Sequence, residues 1–187
     1  MSSAILSIGL DIGFRRDSSA VAAVYRDTDD HICLRAHRIW EPPVRIPDVT
    51  EYVLRLFAEE QVSGLWYDPH QFASEAQRMA EAGWGRYLNE VNQSGPFMIE
   101  IATNLHILMQ RGMLDLYADS VCRQHFSQCG IKATEQGPRI IKTAQTRQID
   151  FVVAYAMAVY GCSSAPALPT QATFSEDEHV VQLEMLV

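Results

Sequence analysis

The chain has 187 residues, 48% of them hydrophobic, and a formal charge of −8. Such a length and apolar share suit one globular domain with a buried core. The longest purely apolar run, Phe151 to Tyr160, is ten residues, too short to span a bilayer, and the acidic balance argues at first sight against a nucleic-acid partner.

No basic region precedes the first apolar stretch, so we expect no secretory signal. Residues 4–11 read as a buried strand that ends in Asp11. A carboxylate there is costly unless something pairs with it, and a divalent cation shared with other acids is one such partner. Gly13 to Ser19 is turn material, with Arg15, Arg16 and Asp17 between glycine and serines. Residues 19–26 and 31–40 read as the second and third strands, and the tight connections between them predict an antiparallel meander.

Glu41-Pro42-Pro43 breaks the sheet, and Asp48 is expected to cap a helix running to about Gln61. Ser63 to Asp68 is a short fourth strand ending in a second acid and stopped by Pro69. A helix is expected over Gln71–Ala82, a fifth strand over Arg86–Val91, and a longer helix over Pro96–Gln110. A short helix over Asp119–Gln128 and a hairpin over Ile131–Lys142 follow, and the last helix is expected from Thr146 to Tyr160.

Three antiparallel strands leading into parallel strands with crossover helices define a mixed sheet of the α/β class. In that topology strands 1 and 4 are neighbours, which brings Asp11 and Asp68 together at one edge. A third acid, Asp150, stands at the head of the apolar run. It can serve the helix end through the macrodipole or point into a cleft. Three carboxylates offer hard oxygen ligands suited to Mg²⁺ or Mn²⁺.

Charge is unevenly spread. Between Arg123 and Arg147 there are five basic residues (Arg123, Lys132, Arg139, Lys142, Arg147) and one acid, Glu135. Such a stripe can be a solvated face or can hold a phosphate backbone. The stretch after Gly161 carries Glu176, Asp177, Glu178 and Glu184 without Lys or Arg, leaving −4 on the body. Residues 1–161 are therefore expected to form the domain, with 162–187 an acidic and flexible tail. Cys33, Cys122, Cys129 and Cys162 form no CxxC pair and no zinc-spaced Cys/His cluster, and read as reduced thiols. His70 and His106 read as structural, while His125, near the basic stripe, is a candidate phosphate contact.

Gly9-Leu10-Asp11-Ile12-Gly13-Phe14-Arg15-Arg16-Asp17-Ser18-Ser19-Ala20 resembles the first strand and turn of the nuclease domain of viral (tailed-phage) terminase large subunits. Trp66-Tyr67-Asp68-Pro69-His70-Gln71-Phe72 resembles that family's second acidic motif, and Arg139-Ile140-Ile141-Lys142 with Ile149 to Ala158 resembles its third. The resemblance implies an RNase H-like mixed five-stranded sheet flanked by helices, with an extra C-terminal hairpin and helix. It implies a metal-dependent DNA endonuclease cutting concatemeric viral DNA during genome packaging. Asp11, Asp68 and Asp150 would hold two Mg²⁺ or Mn²⁺ ions, with Asp17 a further candidate ligand. Arg15, Arg16, Lys132, Arg139, Lys142 and Arg147 would meet double-stranded DNA. Implied partners are the terminase ATPase domain, the small terminase subunit and the portal, in the host cytoplasm and without a membrane.

The chain lacks the GxxxxGK[ST] phosphate loop of the packaging motor, so translocation is not assigned to it. A junction resolvase or transposase of the same fold, or an inactive DNA-binding module, would share the acidic pattern or the scaffold. An actin-like ATPase would need a second Asp-x-Gly turn, which is missing.

Overall fold

The computed structural model describes residues 4–13, 17–93, 95–117, 119–144 and 148–164. Arg15, Arg16 and Arg147, the start of the expected last helix and all of the expected tail beyond residue 164 lie outside the described residues.

Strands β1 (Ile5–Asp11), β2 (Ser19–Arg26) and β3 (Ile32–Trp40) form the expected antiparallel meander. Helix α1 (Ile46–Glu59) crosses to β4 (Gln61–Tyr67), which pairs parallel to β1 with Leu10 opposite Tyr67. Helix α2 (Pro69–Met79), a π turn and a 3₁₀ turn lead to β5 (Leu88–Glu90), parallel to β4. Helix α3 (Pro96–Gln110) returns to a strand that the sequence did not announce, β6 (Leu114–Asp115), parallel to β3. The sheet thus has six strands, in the order β5-β4-β1-β2-β3-β6. Two residues are too few for any period to be visible. Helix α4 (Ser120–Ser127), the separate hairpin β7 (Cys129–Thr134) and β8 (Gly137–Lys142), and helix α5 (Asp150–Ser164) complete the domain. No helix among the described residues is long and apolar enough to cross a membrane.

Two cores fill the two faces of the sheet. Leu6, Ile8 and Leu10 of β1 point to α1 and α2, where they meet Val49, Val53 and Phe72. The alternate residues, Ser7 and Gly9, face α5, which lies across β1, β2 and β4. α5 is buried all round, as its uninterrupted apolar run requires. Its seat is made of small residues. A methyl group at Gly9 would overlap the Ala154 carbonyl oxygen, and one at Gly161 would overlap the Trp66 indole and the Ser7 hydroxyl. The helix runs past its expected end at Tyr160 and through Gly161. It continues to Ser164 because the close approach offsets the roughly 1 kcal/mol that glycine costs a helix interior.

α1 starts two residues before Asp48, with Pro47 in its first turn, so Asp48 lies inside the helix and Arg45 is the cap position. α2 starts at Pro69 rather than Gln71, because Asp68 caps it.

Candidate active site

Parallel pairing of β1 and β4 sets Asp11 and Asp68 side by side at the carboxyl edge of the sheet. The close seat of α5 brings its first residue, Asp150, to the same edge. Asp11 experiences the charges of both other acids. Burial, above all, pushes its carboxyl up to about 7; the Gln93 hydrogen bond opposes this, the Asp150 and Asp68 charges add to it, and Lys142 opposes it.

Each of the three acids has one oxygen fixed. Gln93 Nε2 donates to Asp11 Oδ1 at 2.8 Å. The His70 backbone N–H donates to Asp68 Oδ1 at 2.9 Å, as an N-cap bond. The Ser18 hydroxyl donates to Asp150 Oδ2 at 2.6 Å, and this pair is buried. Fixing one oxygen of a carboxylate orients the other, the usual task of groups behind a metal ligand. Beside Asp68 opens a cavity of about 490 Å³ lined by Asp68, Pro69, His70, Asn92 and Gln93.

The three carboxylates do not close on a single point. Among the described residues, the clusters whose ligand atoms lie within 4.8 Å of one another are elsewhere: His37, Asp119 and Cys122, and Asp27, Cys33 and Asp115. The donor set itself, all carboxylate oxygen, fits a hard divalent cation.

Asp17 is turned to Lys142, whose Nζ lies 2.8 Å from Asp17 Oδ1. Burial pulls the Lys142 ammonium down, yet the Asp17 bond and the charges of Asp150, Asp17 and Asp11 carry it above its ordinary value. Lys142 therefore stands beside the acidic centre as a charged group. Lys132 and Arg139 lie directly opposite each other on β7 and β8. Facing like charges destabilise a hairpin unless an anion meets them, and neither has an acidic partner among the described residues. His125, a candidate phosphate contact, is turned inward. It is buried, and its Nδ1 accepts from the Phe151 N–H at 3.4 Å, satisfying one of the first backbone donors of α5. His70 is exposed at the cavity.

Gln93 and Ser18 are missing from the sequence reading. Their partners lie 82 and 132 residues away, and polar residues in loops carry no periodic signal.

No family model and no curated protein sequence matches the chain. Solved structures do. The large terminase of bacteriophage HK97 is 16% identical with a TM-score of 0.73, over 84% of this chain and 39% of that one. The large terminase nuclease of thermophilic phage G20c with bound magnesium is 17% identical (TM-score 0.63), over 86% of this chain and 82% of that one. The large terminase nuclease domain of bacteriophage SPP1 with bound Mn is 13% identical (TM-score 0.58), over 85% and 87%. The six-stranded mixed sheet and its flanking helices thus have the RNase H-like fold of phage large terminase nuclease domains.

Proposed function

We propose that the chain is a divalent-metal-dependent endodeoxyribonuclease that cuts double-stranded viral DNA during genome packaging. The observation that carries this reading is the convergence of Asp11, Asp68 and Asp150 at one sheet edge, each with one oxygen held by a dedicated donor. The magnesium and Mn in the similar nucleases support the same chemistry.

Asp11, Asp68 and Asp150 would hold Mg²⁺ or Mn²⁺, with Asp17 a further candidate ligand once Lys142 turns away. Bound there, such ions supply Lewis acidity and an activated water for phosphodiester hydrolysis. The chain's own residues do the rest. Gln93, the His70 N–H and Ser18 keep the acids oriented. Lys142 neutralises phosphate charge next to the centre, and Lys132 and Arg139 hold the backbone further along the hairpin, assisted by Arg15, Arg16 and Arg147. The phosphate contacts set position and not sequence, so cleavage would show little sequence preference. The ATPase domain, small terminase subunit and portal would deliver the DNA.

Plasmid cleavage in Mn²⁺ tests this. Asp11→Asn and Asp150→Asn should lower the rate on the order of 10³-fold or more with the fold retained. Asn variants that cut as fast as the parent would overturn the proposal.

A further inference from the structure

A second ligand cluster lies where β3 meets the start of α4, beside the head of α5: the His37 ring packs on Phe151 with centroids 5.3 Å apart. His37 projects from β3, Asp119 caps α4, and Cys122 sits in its first turn. The ligand atoms of all three lie within 4.8 Å of one another. His37 Nε2 and Asp119 Oδ2 are 3.8 Å apart. That is too long for a hydrogen bond. It is close to the edge of a tetrahedron whose centre lies ~2.0–2.3 Å from nitrogen, oxygen and sulfur donors.

The surroundings orient His37 and Asp119. The Tyr117 hydroxyl contacts His37 Nδ1, which leaves Nε2 for the cluster. Asp119 Oδ1 is occupied by the Val121 and Cys122 N–H groups at 2.8 and 2.9 Å, which directs Oδ2 inward. Cys122 is 2% exposed, while the His37 and Asp119 side chains, at 14% and 29%, leave an opening for water.

We propose that His37, Asp119 and Cys122 form a Zn²⁺ site, with water as the fourth ligand. One nitrogen, one oxygen and one sulfur select a borderline ion over Mg²⁺. Binding takes the Cys122 thiolate, and its proton leaves to solvent. The ion would tie β3 to α4, whose His125 contacts the Phe151 N–H next to Asp150. It would thus brace the module that carries the basic hairpin against the sheet.

The test uses the whole chain, stripped with chelator and titrated with Zn²⁺ and, separately, Co²⁺, both under saturating Mg²⁺. One Zn²⁺ should bind, and Co²⁺ should give a near-ultraviolet thiolate-to-cobalt absorption. Cys122→Ser should abolish that absorption, His37→Gln should weaken binding by at least about tenfold, and Asp11→Asn should change neither. If Cys122→Ser unfolds, the His37→Gln affinity carries the test. Absence of the band in the parent, its survival in Cys122→Ser, or its loss in Asp11→Asn would overturn the site. So would loss in Cys33→Ser, which would move the ion to the Asp27/Cys33/Asp115 cluster. Cleavage is not read in this experiment, so its outcome is independent of the nuclease proposal.

Discussion

On one face of the sheet, Leu6, Ile8 and Leu10 interdigitate with the large side chains of α1 and α2. On the other, Gly9 leaves only backbone beneath Ala154 of α5, while the Ser7 hydroxyl and the Trp66 indole lie against Gly161. The first face is stabilised by buried area, which neighbouring rotamers can redistribute when one side chain changes. At Gly9 the second is a backbone-to-backbone contact with no side chain there to absorb a change. The second also fixes where Asp150 stands relative to Asp11. The difference teaches that the proposed chemistry depends on the close contact of β1 with α5 at Gly9.

The largest expected effect lies on the acids that the close contact aligns. Asp68→Asn should match Asp11→Asn in lowering Mn²⁺-dependent cleavage on the order of 10³-fold. It should also cost about 1 kcal/mol or less, since asparagine still caps α2. Loss of cleavage together with the fold, read by far-ultraviolet circular dichroism, would merge two roles the account separates.

Gly9→Ala should come next. Its methyl group must lift α5, costing about 1–3 kcal/mol in a denaturant titration and, by displacing Asp150, about 100-fold in cleavage. Ile8→Val, one residue away on the other face, should cost about 1 kcal/mol and leave cleavage unchanged. Equal losses of activity from the two variants would break the comparison.

Ser18→Ala leaves one Asp150 oxygen without its donor. It should weaken Mn²⁺ affinity about tenfold, measured by calorimetry, as does removal of other groups behind a metal ligand. Gln93→Ala should act similarly through Asp11.

A pH slope in the metal-free chain is a separate effect, read in stability and not in cleavage. Asp11 is raised from 3.8 to about 7, chiefly by burial. Between those values the folded chain holds a proton that the unfolded chain has released. Stability therefore falls as pH rises from about 4 to 7, by up to about 1.4 kcal/mol per unit, and levels off above. The difference between parent and Asp11→Asn isolates this group, and the variant should be the more stable of the two at pH 8. Bound cation reverses the sign, because it competes with the proton and so binds more tightly up to about pH 7.

The positions of the three acids are legible in the sequence because each interrupts or borders an apolar run. Asp11 ends one strand, Asp68 follows another before a proline, and Asp150 heads ten apolar residues. Strand order then places them. The small residues Ser7, Gly9, Ala154 and Gly161 are visible in the chain, yet only packing shows that they face one another. His37, Asp119 and Cys122 could not be read together, since 82 residues and no motif spacing separate the first two. His125 was misplaced for a related reason. Its neighbours in sequence are basic, but α4 turns it inward to the backbone of α5. β6 is too short to signal itself, and exists because β3 leaves an edge for Leu114 and Asp115 to pair with.

The most direct measurement is the position of Mn²⁺ in a crystal of the chain, located by anomalous scattering. The account predicts ions bridged by Asp11, with Asp68 and Asp150 as further ligands and ~4 Å between the two metals. Crystals soaked in Mn²⁺ that show no ion at Asp11, with the three carboxylates remaining apart, would contradict it.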